Sequence, residues 1–368
     1  MKRGSPGAVM TADGRQHRLA VMDDSSPSSD QTVLVTGGSG FLGGRSIVEL
    51  LERGYKVRTT VRNKGKSEGL NSAFSAELGK PVEVEFFEAD LSSDDGWAEA
   101  VAGCDYVLHV ASPFPTAQPK DPQELIGPAR DGALRVLKVA LDAGVKRVVM
   151  TSSVAAIKST GLPHTGPYTE EDWTNPDLDL TPYTKSKTIA ERAAWDLVKE
   201  SGDEDRLAVV CPGAILGPLL GNEDSSSLQI IQRMLDGMPG APRLGFCYVD
   251  VRDTAELHVL AMTSPEAGGK RFIAAGPFLW MTDVAEILRA ELPEAGAKAP
   301  SRTVPKPIIR LMGLFDPALK AMVNDLGVES HFSAQRAKDL LGWEPRPINE
   351  TIADCAKSLI ASKAEAGS

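Results

Sequence analysis

Thr32-Val-Leu-Val-Thr36-Gly-Gly-Ser-Gly-Phe-Leu-Gly43 decides how the chain folds. Thr32–Thr36 is a short β-branched run, suited to a strand buried on both faces. Gly37-x-x-Gly40-x-x-Gly43 follows at once. Phe41 to Arg53 then reads as a helix, with Leu42, Ile47, Val48, Leu50 and Leu51 on its apolar side and Gly54 as its stop signal. A glycine triplet alone is weak evidence, since turns of many kinds can be glycine-rich. Between a strand and a helix the three glycines play distinct parts. One permits the tight turn, one lets backbone approach a pyrophosphate, and one allows close helix–strand packing. The helix N-terminus then faces phosphate.

Working outward, Lys56–Val61, Val82–Phe87, Tyr106–Val110, Arg147–Thr151 and Leu207–Cys211 read as further strands. Helical stretches lie between them, from about Pro122 to Ala143 and from Tyr183 to about Glu200. Strands alternating with helices give βαβ units and a mostly parallel sheet covered on both faces. After Pro212 the pattern loosens, with frequent Gly, Pro and Ser between Gly213 and Gly245. Tyr248–Asp253 leads into a helix through about Met262, Arg271–Ala275 reads as a strand, and Asp283–Leu292 and Ala334–Leu341 as helices. The expected fold is α/β: a Rossmann-like doubly wound parallel sheet with a smaller, partly interleaved C-terminal substrate domain. Its nucleotide-binding part is expected over 31–212, with 248–276 contributing, and its substrate part over 213–247 and 277–360. Residues 1–30, rich in Ser, Pro, Gly and Asp without periodicity, read as a disordered leader.

The formal net charge of −10 and a pI near 5.2 argue against nucleic-acid or anionic-membrane partners. No apolar run approaches the ~20 residues of a membrane helix, and no h-region follows Lys2 and Arg3. Cys104, Cys211, Cys247 and Cys355 are scattered, as are the histidines, so neither a disulfide framework nor a metal site is expected. A cytoplasmic protein, monomeric or homodimeric, acting on a small molecule is the expectation.

The loop points to a dinucleotide held by Gly37, Ser39, Gly40, Phe41, Leu42 and Gly43. The end of the second strand selects which one. An acid there suits a ribose 2′-hydroxyl, whereas arginine suits a 2′-phosphate. Val61-Arg62-Asn63-Lys64 offers no acid. Arg62 can clamp a phosphate, with Lys64 or Lys66 as a second cation. NADP(H) is therefore expected ahead of NAD(H), which stays possible. Asp90-Leu91 could meet the adenine, although Asp90 as a helix cap is an equal reading. Small residues in Val110-Ala111-Ser112 would let backbone pass close to the cofactor.

Tyr183 and Lys187 lie four residues apart, on one helix face. A phenol beside an ammonium can serve as an acid near neutrality, because the cation stabilises the phenolate, and the pair can also meet the cofactor, Lys187 holding the nicotinamide ribose. Thr151-Ser-Ser153 closes a strand on the same sheet edge as the glycine loop, where a hydroxyl could bond a substrate carbonyl. Singly, Ser153 could be a local cap, Tyr183 a core residue and Lys187 a solvated helix lysine. Jointly, in this order behind a dinucleotide loop, they read as a catalytic set.

Thr36–Gly43, Asp90-Leu91, Thr151–Ser153 and Tyr183-x-x-x-Lys187 together resemble the extended short-chain dehydrogenase/reductases, from about residue 31 to 360. His109-Val-Ala-Ser-Pro113, Ala190-Glu-Arg-Ala-Ala-Trp195 and Cys211–Pro218 are similar to the branch holding dihydroflavonol 4-reductase, cinnamoyl-CoA reductase and microbial aldehyde and ketone reductases. That resemblance implies Ser153, Tyr183 and Lys187 as catalytic residues, Arg62 as the NADPH reader, and Pro212 and Ile215 near the nicotinamide. Two departures bear on substrate. Lys158 stands where dihydroflavonol reductases carry a substrate-binding asparagine, and Asp179-Leu-Thr-Pro-Tyr183 replaces the Asn-Trp-Tyr-Cys-Tyr of cinnamoyl-CoA reductases. A general NADPH-dependent aldehyde or ketone reductase is the expected activity. The alternatives are an NAD-dependent sugar-nucleotide epimerase or dehydratase, against which Arg62 and His109–Pro113 weigh, and a non-enzymatic NADP(H)-sensing module, which the intact catalytic set disfavours.

Overall fold

A computed structural model describes residues 30–113, 121–221, 226–312 and 323–366. The expected leader, residues 1–29, lies outside them. Six strands open the fold: β1 Thr32–Thr36, β2 Lys56–Val61, β3 Glu85–Glu88, β4 Tyr106–His109, β5 Arg147–Thr151 and β6 Leu207–Pro212. With Lys270–Ala274 they build a seven-stranded sheet whose pairings are all parallel. Its order is Lys270–Ala274, β6, β5, β4, β1, β2, β3. Strand order reverses between β1 and β4, and a crevice opens at such a switch point.

Burial follows the pleat. Leu34, Val107, Val148 and Val209 enter one core cluster, while Val33, Val35, Leu108, Val149 and Val210 enter another. Adjacent residues face opposite sides of the sheet, so both faces are covered by helices. Helix α1, Phe41–Glu52, buries Ile47 and Leu50 fully beneath the sheet. Gly54 ends it at φ +85°, where the Gly54 N–H reaches Leu51 O and the Tyr55 N–H reaches Leu50 O. That paired bonding satisfies two orphan carbonyls at the helix end.

The chain then leaves the main sheet through a close crossing. After β6, a Cβ on Gly213 would stand 2.2 Å from the Cys247 carbonyl oxygen, so only glycine lets the two backbones pass. Ala214–Leu216 pairs with Gly245–Asp250, which pairs in turn with Phe278–Trp280. This small sheet packs with helices Ser226–Leu235, Met281–Glu291 and Ile348–Ala366 around a third cluster containing Leu216, Ile231, Tyr248, Val284 and Ile352. Phe41 and Leu42 belong to the same cluster, so the start of α1 is wedged against the C-terminal part.

Several elements differ from the sequence reading, two of them between β2 and β3. β3 begins at Glu85 rather than Val82, because the Val82 and Val84 N–H groups bond the Ser75 hydroxyl and Asn71 side chain instead of a neighbouring strand. Those partners sit on a helix, Ser67–Leu78, which the reading did not contain. Leu70, Phe74 and Leu78 recur at helical spacing and pack on the core, but Phe74 is its one fully buried side chain and Gly69 lies inside it, so the signal is short.

Candidate active site

The carboxyl ends of β1, β4 and β5 and the helix Pro182–Ser201 supply the site. Thr36 ends β1 and ties the switch point together. Its hydroxyl bonds His109 Nδ1 at 3.0 Å and accepts the Ala111 N–H at 3.0 Å. Gly37 follows at φ +74°, and a Cβ there would stand 3.1 Å from Ala111 Cβ. The loops after β1 and β4 therefore touch through small residues. Thr60 pins the glycine loop from the other side, accepting the Gly37 N–H at its hydroxyl and the Gly38 N–H at its carbonyl.

The N-terminus of α1 opens from this loop. Gly40 is its N-cap residue, with no side-chain cap and no acid in the first turn. Uncapped N–H groups at a helix start are an anion site. Ser39 and Gly40 are exposed, whereas the Phe41 and Leu42 side chains turn into the core. Only the main chain of Phe41 and Leu42 is thus available to a phosphate. Arg62 is exposed at the end of β2, close enough to Asp90 to hold that carboxyl below its usual range after the larger effect of Ser92. Asp90 accepts from the Ser92 N–H and hydroxyl, so it shapes a local turn; the next helix starts later, capped at Gly96. Leu91 is partly buried against Gly132. The Lys66 side chain lies outside the described ones. Val110 and Ile215 are partly buried under the loop, Ser112 is partly exposed and Pro212 is buried at the end of β6. A glycine cradle, an uncapped helix and an exposed arginine at the second strand fit a dinucleotide carrying a 2′-phosphate.

The end of β5 presents neighbouring hydroxyls, and the structure separates their jobs. Thr151 bonds His258 Nε2 at 2.7 Å, while His258 Nδ1 bonds the Thr254 carbonyl at 2.7 Å. Burial pushes His258 down to about 4, so the ring is neutral, donating from Nδ1 and accepting at Nε2. Ser152 donates to the buried carboxylate of Glu191. Ser153 accepts the Ala155 N–H at 3.1 Å and hydrogen-bonds Tyr183. Of the three, Ser153 is the one that meets the phenol.

The Tyr183 helix starts on Thr181, whose hydroxyl accepts the Thr184 N–H, with Pro182 in its first turn. Tyr183 is partly exposed and Lys187 is 8% exposed. Burial raises the Tyr183 phenol above its ordinary range, and the Ser153 bond only partly opposes this. The sequence reading has Lys187 stabilise the phenolate; for the phenol itself desolvation is the dominant influence. Burial also lowers Lys187 to about 8, opposed by its neighbours Cys211 and Glu191. Lys187 in turn helps burial push His109 to about 3. The phenol is therefore a neutral donor at pH 7, beside an amine that keeps its proton until about pH 8.

The sequence reading missed Glu191 and Arg271. Glu191 is fully buried, with Arg271 Nε at 2.6 Å. The signal for Glu191 was its place four residues beyond Lys187. Nothing local marked Arg271, which comes from a strand 80 residues away. Lys158, at the asparagine position of dihydroflavonol reductases, pairs with Asp325 at 3.2 Å instead.

The chain is similar to several known proteins. Cinnamoyl-CoA reductase 1 of Petunia hybrida is 34% identical over 90% of this chain and 92% of its own. Anthocyanidin reductase of Vitis vinifera is 30% identical over 74% of this chain and 84% of its own. The yeast methylglyoxal/isovaleraldehyde reductase solved with NADPH superposes with a TM-score of 0.75 at 26% identity, covering 91% of this chain and 99% of that one. The glycine loop, the strand carrying Arg271 and all of the parallel sheet but Thr32 fall within residues 33–275, which match the family model described as NAD dependent epimerase/dehydratase family, and the chain belongs to that family.

Proposed function

We propose that the protein is an NADPH-dependent reductase of aldehydes or ketones. The observation that carries this is the Tyr183 phenol bonded to Ser153, one helical turn from a buried Lys187, at the sheet edge that holds the glycine loop. Bound NADPH would supply a hydride to the carbonyl carbon. Ser153 holds the carbonyl oxygen, and Tyr183 donates its hydroxyl proton to that oxygen as negative charge develops there. Lys187 stabilises the phenolate left behind. The names of the relatives support reduction of a carbonyl, and the yeast structure supports NADPH. The nucleotide-binding part comprises the main sheet, and residues 213–247 and 277–360 shape the substrate side.

NADPH oxidation against aliphatic, aromatic and dicarbonyl substrates tests the proposal. Consumption with at least one carbonyl class is expected; none with any class, at neutral pH and saturating NADPH, overturns it. Arg62→Ala tests the cofactor reading. A charge-assisted pair with phosphate is worth about 1.5–3 kcal/mol, so NADPH efficiency should fall roughly 10–100-fold. NADH efficiency should hold, because the uncovered Asp90 carboxylate opposes a 2′-phosphate and not a 2′-hydroxyl. An unchanged NADPH/NADH ratio would remove Arg62 from the site.

A further inference from the structure

Lys187 is a buried amine, and its charge is what the phenolate needs. The groups around it decide whether that charge persists. Tyr183 and Glu191 lie one turn before and one turn after it on the same helix face. From β4 comes His109, held neutral by burial at about 3. From β6 comes Cys211, whose thiol burial pushes far above its usual range, so it too is uncharged. Ser152 and Ser153 from β5 carry no charge. Among the described residues, Glu191 is therefore the anion that faces Lys187.

Glu191 is fully enclosed by donors. It is 0% exposed, and its two oxygens accept from Arg271 Nε at 2.6 Å, Arg271 Nη2 at 3.2 Å, Trp195 Nε1 at 3.3 Å and the Ser152 hydroxyl. Arg271 is itself fixed by the Glu170 and Asp172 carbonyls and stacks 3.7 Å from the Trp173 ring centroid. Buried carboxylates are tolerated where they are ion-paired and hydrogen-bonded in this way. The same network joins the Tyr183 helix to the residue before Ser153.

We propose that Glu191, locked by Arg271, is a positioning residue that keeps Lys187 protonated and so sets the upper pH limit of the active site. The proposal rests on the reductase reading only for its consequence in turnover; the charge coupling stands apart from it.

The test is a titration of the full chain labelled with ¹³C at the lysine ε-carbons, the Lys187 signal being identified by its loss in Lys187→Met. The wild-type midpoint is expected near 8. Glu191→Gln keeps shape and loses charge, so the midpoint should fall by about one pH unit. Glu191→Asp keeps charge and loses shape, so it should stay within about 0.3 of a unit. A purely structural role would reverse that ranking. Glu191→Gln with Arg271→Met removes both charges together, which buried pairs tolerate. It should lower the midpoint by less than Glu191→Gln does, because the Arg271 cation that disfavours a protonated Lys187 is lost with the anion, and it serves if the single Gln variant does not fold. Midpoints that stay at the wild-type value, or that fall more for Asp than for Gln, overturn the proposal. If the midpoints move as expected but no carbonyl compound consumes NADPH, the reductase reading fails and the coupling holds.

Discussion

Tyr183→Phe should lower carbonyl reduction roughly 10²–10⁴-fold while leaving NADPH affinity unchanged. The substitution keeps the ring and removes only the hydroxyl, so the helix that Thr181 and Pro182 begin is retained. Ser153 loses a hydrogen-bond partner at a buried position, which costs about 1 kcal/mol of stability. A thermal melt within a few degrees of wild type, beside the loss of turnover, separates chemistry from folding. The loss should fall on kcat, because the proton is given only as the carbonyl oxygen becomes charged. Wild-type turnover in this variant would remove Tyr183 from the acid role.

The same geometry fixes the pH behaviour. Burial raises the phenol, so Tyr183 carries its proton throughout the neutral range and does not limit the rate there. Lys187 is lowered to about 8, so the charge that receives the phenolate is present below that pH and is lost as pH rises through it. Reduction should be flat on the neutral side and fall about tenfold per unit above Lys187's midpoint. Substrate-saturated rates between pH 6 and 10 check this, and an unbroken rate to pH 10 would contradict it.

The β1–loop–α1 unit was legible because every requirement was local: a β-branched run, glycines at fixed offsets and an amphipathic helix ending at Gly54. The Tyr183/Lys187 pair was legible for the same reason, through its helical spacing. Ser153 was named by resemblance, but why Thr151 and Ser152 do not face the phenol was not legible, since they are occupied by His258 and Glu191 from distant segments. Arg271 was silent because a buried ion pair is defined by its partner across the sheet. The helix Ser226–Leu235 had a signal that Gly, Pro and Ser nearby obscured: Leu228, Ile231, Met234 and Leu235 recur at helical spacing and are buried. The phenol's raised pKa needed burial, a quantity that spacing does not carry.

Gly43→Ala should abolish tight NADPH binding, with at least a tenfold loss of affinity and about 1–3 kcal/mol of stability. An added Cβ would stand 2.2 Å from the Gly37 carbonyl oxygen, 2.9 Å from its carbon and 3.2 Å from Gly38 Cα. All three are backbone atoms, and the loop has nowhere to move. Gly37 is held by Thr60 and by the Gly40 N–H, and Gly38 already meets Thr59 so closely that its own Cβ would lie 2.1 Å from the Thr59 hydroxyl. The helix must yield instead. Displacing α1 pulls Ile47 and Leu50 from full burial and swings the uncapped N–H groups away from the phosphate position. Gly54→Ala is the matched control. It places a Cβ in open space at φ +85°, so it costs about 1–2 kcal/mol of backbone strain with no clash and no contact with the loop. Both variants should melt early, and only Gly43→Ala should lose NADPH in calorimetric titration. Equal NADPH affinity in the two would mean that the glycine loop is not the pyrophosphate cradle.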